Sequence, residues 1–305
     1  MKPSFRVVLP LVGLMACMGD DPVAAPVVDA GGGEASVTDA GADAPSTAAC
    51  DPNKDFGPPV LVEELRSNLG EYGFTMNAAQ TVAIFGRGND VIQVRRSGPD
   101  APFTGAAPLQ LPPAPGAAGQ WLAHSLSSDG LIILRSSVLA TSPPYSDAVS
   151  RSTIDSGFGA PTQLTLVNGS AFLGSNPLIS ADGSRYYWLG STPEGPWALL
   201  QGDRLGNVVS GGIPVTDFNP GTFVISYDGL TLYFTRNYTV RRATRATLSD
   251  KFAGSQEIAT LTLPQGGDGG LVYASPTHVT RDDCSLYVTI RRTEGGGIYV
   301  AKRPK

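Results

Sequence analysis

The chain has 305 residues, with 22 Lys plus Arg against 27 Asp plus Glu, a formal net charge of −5, and 37 Gly with 25 Pro. Only 16% of residues are charged, which excludes a coiled coil, and the acidic balance excludes a basic nucleic-acid-binding face. The length permits one large all-β domain or two smaller ones, and Gly and Pro spread along the chain favour many strands joined by tight turns.

Lys2 and Arg6 form a short positive start, and residues 7–16 are uncharged and apolar. That stretch is too short for a membrane-spanning helix, which needs about 20 residues. It suits the apolar core of a signal peptide covering residues 1–16. The stretch ends Leu14-Met15-Ala16-Cys17, which resembles the bacterial lipobox. The resemblance implies that Cys17 is lipidated, becomes the first mature residue and anchors the chain to a membrane. Ordinary cleavage near Ala16 with an incidental Cys17 is the alternative. Residues 17–49 carry Asp20, Asp21, Asp29, Glu34, Asp39 and Asp43, with no Lys, Arg or aromatic residue. Lacking a hydrophobic period, this segment cannot offset its ordering entropy and reads as a disordered acidic Ala/Gly/Asp-rich tether. With those acids removed, residues 50–305 are near neutral.

Residues 50–305 repeat. Three segments align directly: Ser180-Ala181-Asp182-Gly183-Ser184-Arg185-Tyr186-Tyr187-Trp188, Ser226-Tyr227-Asp228-Gly229-Leu230-Thr231-Leu232-Tyr233-Phe234 and Thr280-Arg281-Asp282-Asp283-Cys284-Ser285-Leu286-Tyr287-Val288. A shorter copy is Ser127-Ser128-Asp129-Gly130-Leu131-Ile132-Ile133-Leu134, and a degenerate one spans residues 76–84. With Ala78 as the Asp equivalent of the degenerate copy, the period is roughly 50 residues, the size of a propeller blade. Asp-Gly between β-rich runs signals a hairpin, because Gly accepts positive φ and Asp tolerates it. Asp129, Gly130, Asp182, Gly183, Asp228, Gly229, Asp282 and Asp283 are therefore read as turn-makers. A third run follows each hairpin, at residues 90–96, 147–152, 197–202, 239–244 and 297–302. A fourth opens with Phe103, Phe158 or Phe252. Phe56-Gly57-Pro58-Pro59 resembles another fourth run, yet it precedes the first hairpin, while the last repeat stops after its third strand. Residues 56–64 are thus expected to supply the outermost strand of the last blade. The expected fold is an all-β propeller of five four-stranded blades closed by the N-terminal strand; whether the degenerate first repeat forms a full blade, and whether the blades number five or six, the sequence leaves open.

The Ser-x-Asp-Gly-x-x-Leu-Tyr-Phe repeat is similar to the WD40-like β-propeller repeats of the TolB type, over about residues 50–305. With the tether and Arg-rich usage, the resemblance implies a lipoprotein of the kind found on myxobacterial surfaces. This implies export and lipid anchoring in the cell envelope, in the outer membrane, with the face left open.

After Cys17, only Cys50 and Cys284 remain. In an oxidising compartment a pair is expected to join. Labelling strands from the axis outwards, the first and third turns of a blade lie at one end, so both cysteines fall at the same end of the last blade. Two free thiols are the alternative.

Catalytic signatures are sparse. The sequence lacks a Gly-x-Ser-x-Gly elbow, a His-Glu-x-x-His pair, a phosphate-binding loop and paired-Cys metal sites. Its two histidines, His124 and His278, fall on expected innermost strands, where they read either as axial ligands or as polar residues beside a wet channel. With Glu71, Trp121, Asn176 and Tyr273 they form the candidate axial binding set. No catalytic residue, metal or cofactor is assigned. The basic group Arg236, Arg241, Arg242 and Arg245 reads as a solvated blade edge. Two functions are carried forward. One is a monomeric, non-enzymatic envelope scaffold that binds a protein, peptide or glycan and no nucleic acid. The other is a hydrolase or lyase acting on a glycan or peptide at the axial pocket.

Overall fold

Turn chemistry organises every blade. Ser127 Oγ donates to Asp129 Oδ1 at 2.5 Å, the same carboxylate accepts Leu131 N–H at 2.9 Å, and Ile132 N–H donates back to Ser127 Oγ at 2.8 Å. The Ser180/Asp182, Ser226/Asp228 and Thr280/Asp282 turns repeat this pattern. Each turn ends in a left-handed residue, with φ +76° at Gly130, +71° at Gly183, +75° at Gly229 and +56° at Asp283. That conformation favours glycine, and Asp is one of the few other residues to adopt it readily.

The structure, a computed structural model, describes residues 50–113, 121–137, 145–168, 174–191, 197–261, 273–292 and 295–305. The expected signal peptide, Cys17 and tether lie outside the described residues. Those described fall within the compact unit Ser46–Lys305.

Strand β1 (Val60–Leu61) precedes the first blade. Blade one is β2 (Glu71–Met76), β3 (Val82–Arg87), β4 (Asp90–Arg95) and β5 (Thr104–Pro108); blade two is β6 (Trp121–Leu126), β7 (Ile132–Ser137), β8 (Tyr145–Ser150) and β9 (Thr162–Gln163). After β10 (Thr165–Leu166), blade three is β11 (Ser175–Ile179), β12 (Arg185–Ser191), β13 (Trp197–Leu205) and β14 (Val208–Pro214). Blade four is β15 (Phe223–Ile225), β16 (Thr231–Arg236), β17 (Thr239–Thr244) and β18 (Ala253–Glu257). Blade five is β19 (Tyr273–Val279), β20 (Ser285–Arg292) and β21 (Gly295–Lys302), completed by β1. The five-bladed, N-terminally closed propeller is thus observed. Val60 pairs with Val300 and Leu61 with Tyr299, antiparallel. The Cys50–Cys284 disulfide fastens this seam, with a Cα–Cα distance of 5.6 Å.

Two details depart from the expected repeat. The degenerate first turn registers one residue later than its sequence alignment, because Asn77 N–H bonds Val82 O as Ser127 N–H bonds Ile132 O. Asn77 therefore replaces the Ser, Ala79 (not Ala78) replaces the Asp, and Gln80, at φ +56°, replaces the Gly. One amide does both jobs: Asn77 Oδ1 accepts Thr81 N–H at 2.9 Å and Val82 N–H at 3.0 Å. Blade three gains an extra edge, where β10 pairs parallel to β14.

Second strands such as Tyr186–Leu189 and Leu232–Phe234 are buried runs, because a neighbouring blade covers each face. Outermost β5 is exposed throughout. Among the described residues, five apolar clusters lie between blades. Ile84 of blade one meets Ile133 and Val149 of blade two, and Leu134 meets Trp188 and Leu200. Tyr187 and Leu199 meet Leu232 and Phe234, and Tyr233 and Val240 meet Leu286 and Val288. Phe74 and Phe85 of blade one meet Tyr287 and Ile298 of blade five, closing the circle.

Candidate functional site

An arginine recurs at the end of each third strand and locks the hairpin below it. Backbone N–H groups of Arg96, Arg151, Arg204, Arg245 and Arg303 bond the carbonyls of Thr81, Leu131, Ser184, Leu230 and Cys284. Their guanidinium groups donate to the carbonyl of the left-handed residue, Gln80, Gly130, Gly183, Gly229 or Asp283. Four lie over an aromatic ring supplied by the outermost strand region: Arg96 over Phe103, Arg151 over Phe158, Arg245 over Phe252 and Arg303 over Phe56. Four reach the preceding blade around the ring, Arg96 to Tyr287, Arg151 to Gln93, Arg245 to Gln201 and Tyr187, and Arg303 to Tyr233. Arg245 is therefore a buried tie rather than part of a solvated edge, whereas Arg236 is exposed and Arg241 and Arg242 half-buried. In blade five Asp283 also takes the Tyr233 hydroxyl at 2.8 Å and Arg303 at 3.0 Å. Burial raises the Asp283 carboxyl above its usual range against both partners.

The innermost strands β2, β6, β11, β15 and β19 each end a sheet. Their open edges face the axis, so the channel must be wet to satisfy them. Cross-blade bonds link neighbouring blades here: between innermost strands Leu126 N–H donates to Thr75 Oγ1, Ser125 Oγ to Pro177 O and Met76 N–H to His278 Nδ1, and Thr235 Oγ1 of β16 donates to Ala274 O of β19. Two cavities meet at a waist of Leu178, Val224 and Thr277.

At the turn mouth, a cavity of about 140 Å³ is lined by His278, Asp182, Arg185 and Asp228. Both carboxylates are occupied by turn bonds, and the Ser180 and Ser184 hydroxyls lower the Asp182 pKa to about 2. His278 sits edge-on to Phe74. Burial, with the Arg96 charge, lowers its pKa to about 3, so its imidazole is neutral at physiological pH.

At the opposite mouth, where the innermost strands begin, a cavity of about 200 Å³ is lined by Tyr72, Asn176, Thr222, Phe223, Thr289 and Arg291, among others. Asn176 stands at φ +52° beside a register shift in β11, and Gly73, at φ +64°, marks a similar shift in β2. Such bulges re-aim side chains and concentrate at the rims of functional sites. Arg291 lies over the Tyr72 ring at 5.6 Å.

Of the six candidate axial residues, the three whose side chains are described do not converge. Asn176 lines the strand-start cavity and His278 the turn cavity. Glu71 lines neither: its side chain is fully buried, with Oε1 3.2 Å from Arg87 Nε and Oε2 without a hydrogen-bond partner. Met76, whose N–H reaches His278, lies five positions along β2 from Glu71, about 16 Å at the rise of a strand. Trp121 and His124 stand on β6 and Tyr273 on β19, with their side chains outside the described residues. His124 pairs in register with Arg135, whose guanidinium holds Asp147 bidentately at 2.7 Å inside blade two. The candidate set omitted Tyr72, Thr289 and Arg291. The Arg-x6-Phe spacing of residues 96–103, 151–158 and 245–252 would have disclosed the arginine ties.

No family model and no curated protein matches the sequence. Among solved structures, a GH43_1 enzyme from Xanthomonas citri aligns with TM-score 0.53 at 10% identity, covering 80% of this chain and 90% of that one. A gluconolactonase from Xanthomonas campestris aligns with TM-score 0.49 at 12% identity, over 84% and 96% of the two chains. TolB from Acinetobacter baumannii aligns with TM-score 0.43 at 15% identity over 79% of this chain, which spans 56% of the TolB length. At these identities the likeness shows the propeller fold alone.

Proposed function

We propose that this chain is a non-enzymatic, lipid-anchored protein of the bacterial cell envelope whose propeller binds a protein, peptide or glycan at an axial mouth. One observation carries the reading: the groups that acid–base catalysis would need are held apart or already engaged, since Asp182 and Asp228, which share the turn-mouth cavity with His278, accept the Ser180, Ser184 and Ser226 hydroxyls. Glu71 is enclosed against Arg87, His278 lines the turn-mouth cavity beside Met76 at the far end of β2, and the strand-start cavity has no carboxylate or histidine among its described lining residues. Glycoside hydrolysis calls for two carboxylates a few ångströms apart. A rigid ring of strands carrying exposed mouths suits binding instead. The Lys2–Cys17 signal supports attachment to the membrane through lipid on Cys17.

Crosslinking pull-down from native envelopes tests the binding half, with capture expected to depend on residues at an axial mouth. Mass spectrometry of the mature N-terminus tests the anchor, and an unmodified Cys17 in a competent host refutes it. A reproducible glycosidase, lyase, esterase or peptidase activity abolished by Glu71→Gln or His278→Ala overturns the non-enzymatic reading in favour of the hydrolase or lyase.

A further inference from the structure

The strand-start cavity carries groups that no structural role consumes. Thr289 is 3% exposed and lines the cavity, and its Oγ1 is buried without a hydrogen-bond partner. Buried hydroxyls are nearly always paired, so an orphan at a cavity wall calls for an external acceptor. Arg291 lies two residues further along β20, on the same face by strand alternation and about 7 Å away. Its side chain is exposed and stacked on Tyr72, with no carboxylate pairing it among the described residues. Four of the other hydroxyls there are committed: Ser125 to Pro177 O, Thr277 to Tyr287 O, Thr222 to Thr235 Oγ1 and Tyr72 to Gly88 O. The wall between them is apolar, from Leu178, Phe223, Val224 and Pro276.

We propose that this mouth captures the C-terminal carboxylate of a peptide or protein chain, pairing it with Arg291 and Thr289 while the apolar wall takes the terminal side chain. The inference deepens the binding reading and rests on it. An arginine fork matches a carboxylate bidentately, and the Thr289 hydroxyl donates to whichever oxygen turns inward. A sugar acid fits less well, because its hydroxyls need acceptors and the described lining offers no carboxylate to receive them. The volume, about 200 Å³, is below that of a drug-sized site and suits one terminal residue rather than a continuous chain.

The test uses the full-length protein and N-acetyl-alanyl-leucine, as the free acid and as its C-terminal amide, titrated by NMR. Saturable shifts with the acid, at least tenfold weaker with the amide, are expected. Arg291→Gln should reduce the acid to the level of the amide, and Thr289→Val should weaken it at least threefold. Both variants should keep the unfolding midpoint within a few degrees, since Arg291 is exposed and Val is isosteric with Thr. Equal binding of acid and amide, no binding of either, or affinity unchanged in Arg291→Gln overturns the proposal. So does glucuronate or inorganic phosphate binding as tightly as the free acid. An envelope partner still captured by Arg291→Gln overturns this proposal while leaving the binding reading intact; loss of capture by the wild-type chain overturns that reading itself.

Discussion

Opening the ring at its seam perturbs this fold most directly, and the seam has two parts of different kinds. The Cys50–Cys284 bond joins positions 234 residues apart. For a loop that long the chain-entropy model gives roughly 5 kcal/mol, and measured disulfides more commonly give about 2–4 kcal/mol. The second part is packing: Phe56 is 2% exposed, meets Tyr233 edge-on at 5.7 Å and lies under Arg303 at 4.2 Å. Truncating such a ring costs about 3–5 kcal/mol. Cys50→Ser is therefore expected to lose about 2–4 kcal/mol, and Phe56→Ala about 3–5 kcal/mol. Deleting residues 50–64 removes both parts, uncovers β21 and should cost more than either, with aggregation through the open edge. Against a typical total of about 5–15 kcal/mol, the deletion leaves the fold marginal. Urea unfolding followed by tryptophan fluorescence, with and without reductant, gives the differences directly. Reductant should lower the wild-type midpoint to that of Cys50→Ser and leave the variant unmoved. Two free thiols at Cys50 and Cys284 in the exported protein would refute the reasoning, as would a wild-type midpoint indifferent to both reductant and Phe56→Ala.

Three further outcomes follow from the same geometry. Arg245→Met removes bonds to Gly229, Tyr187, Gln201 and Leu248 and should cost about 3 kcal/mol in urea unfolding, whereas exposed Arg236→Met should stay within about 0.5 kcal/mol. Gly229→Ala forces a side chain onto φ +75° with Cβ 2.6 Å from Leu248 Cδ2, and should lose about 1–3 kcal/mol by thermal unfolding. His278, lowered from 6.5 to about 3 in the folded chain, binds a proton in the unfolded state first. Its contribution is full above pH 6.5 and is lost as pH falls from there toward 3. His278→Gln should flatten that decline, and an imidazole titrating near 6.5 by NMR would refute it.

The architecture was legible because turn chemistry repeats at single-residue resolution, and Asp-Gly with a preceding Ser or Thr admits few other readings. Register in the first blade was not. Asn77 fuses the roles that Ser and Asp divide elsewhere, so an alignment seeking two side chains slides by one position. The candidate site was legible only in part. Searching the innermost strands for titratable groups singled out Glu71, yet strand alternation turns that residue away from the axis and against Arg87. Thr289 and Arg291 escaped notice because they stand on a second strand. β20 runs on to Arg292, and the cavity lining at its far end is a consequence of that length.

The arginine ties show that ring closure itself has a sequence signature. Each of blades one, two and four carries its arginine and its phenylalanine seven residues apart in one segment. Blade three holds Gly211 at the corresponding place, and Arg204 turns to Tyr186 of its own blade. In blade five the ring over Arg303 comes from Phe56. Phe56, unmatched by any earlier arginine, fills that place from 247 positions upstream in the described ring, where it lies 4.2 Å from the Arg303 carbon. Arg303 of the fifth blade and Phe56 ahead of the first are complementary halves of one motif. Only a closed array brings them together, so the pairing argues for closure independently of the disulfide and of the β1–β21 register.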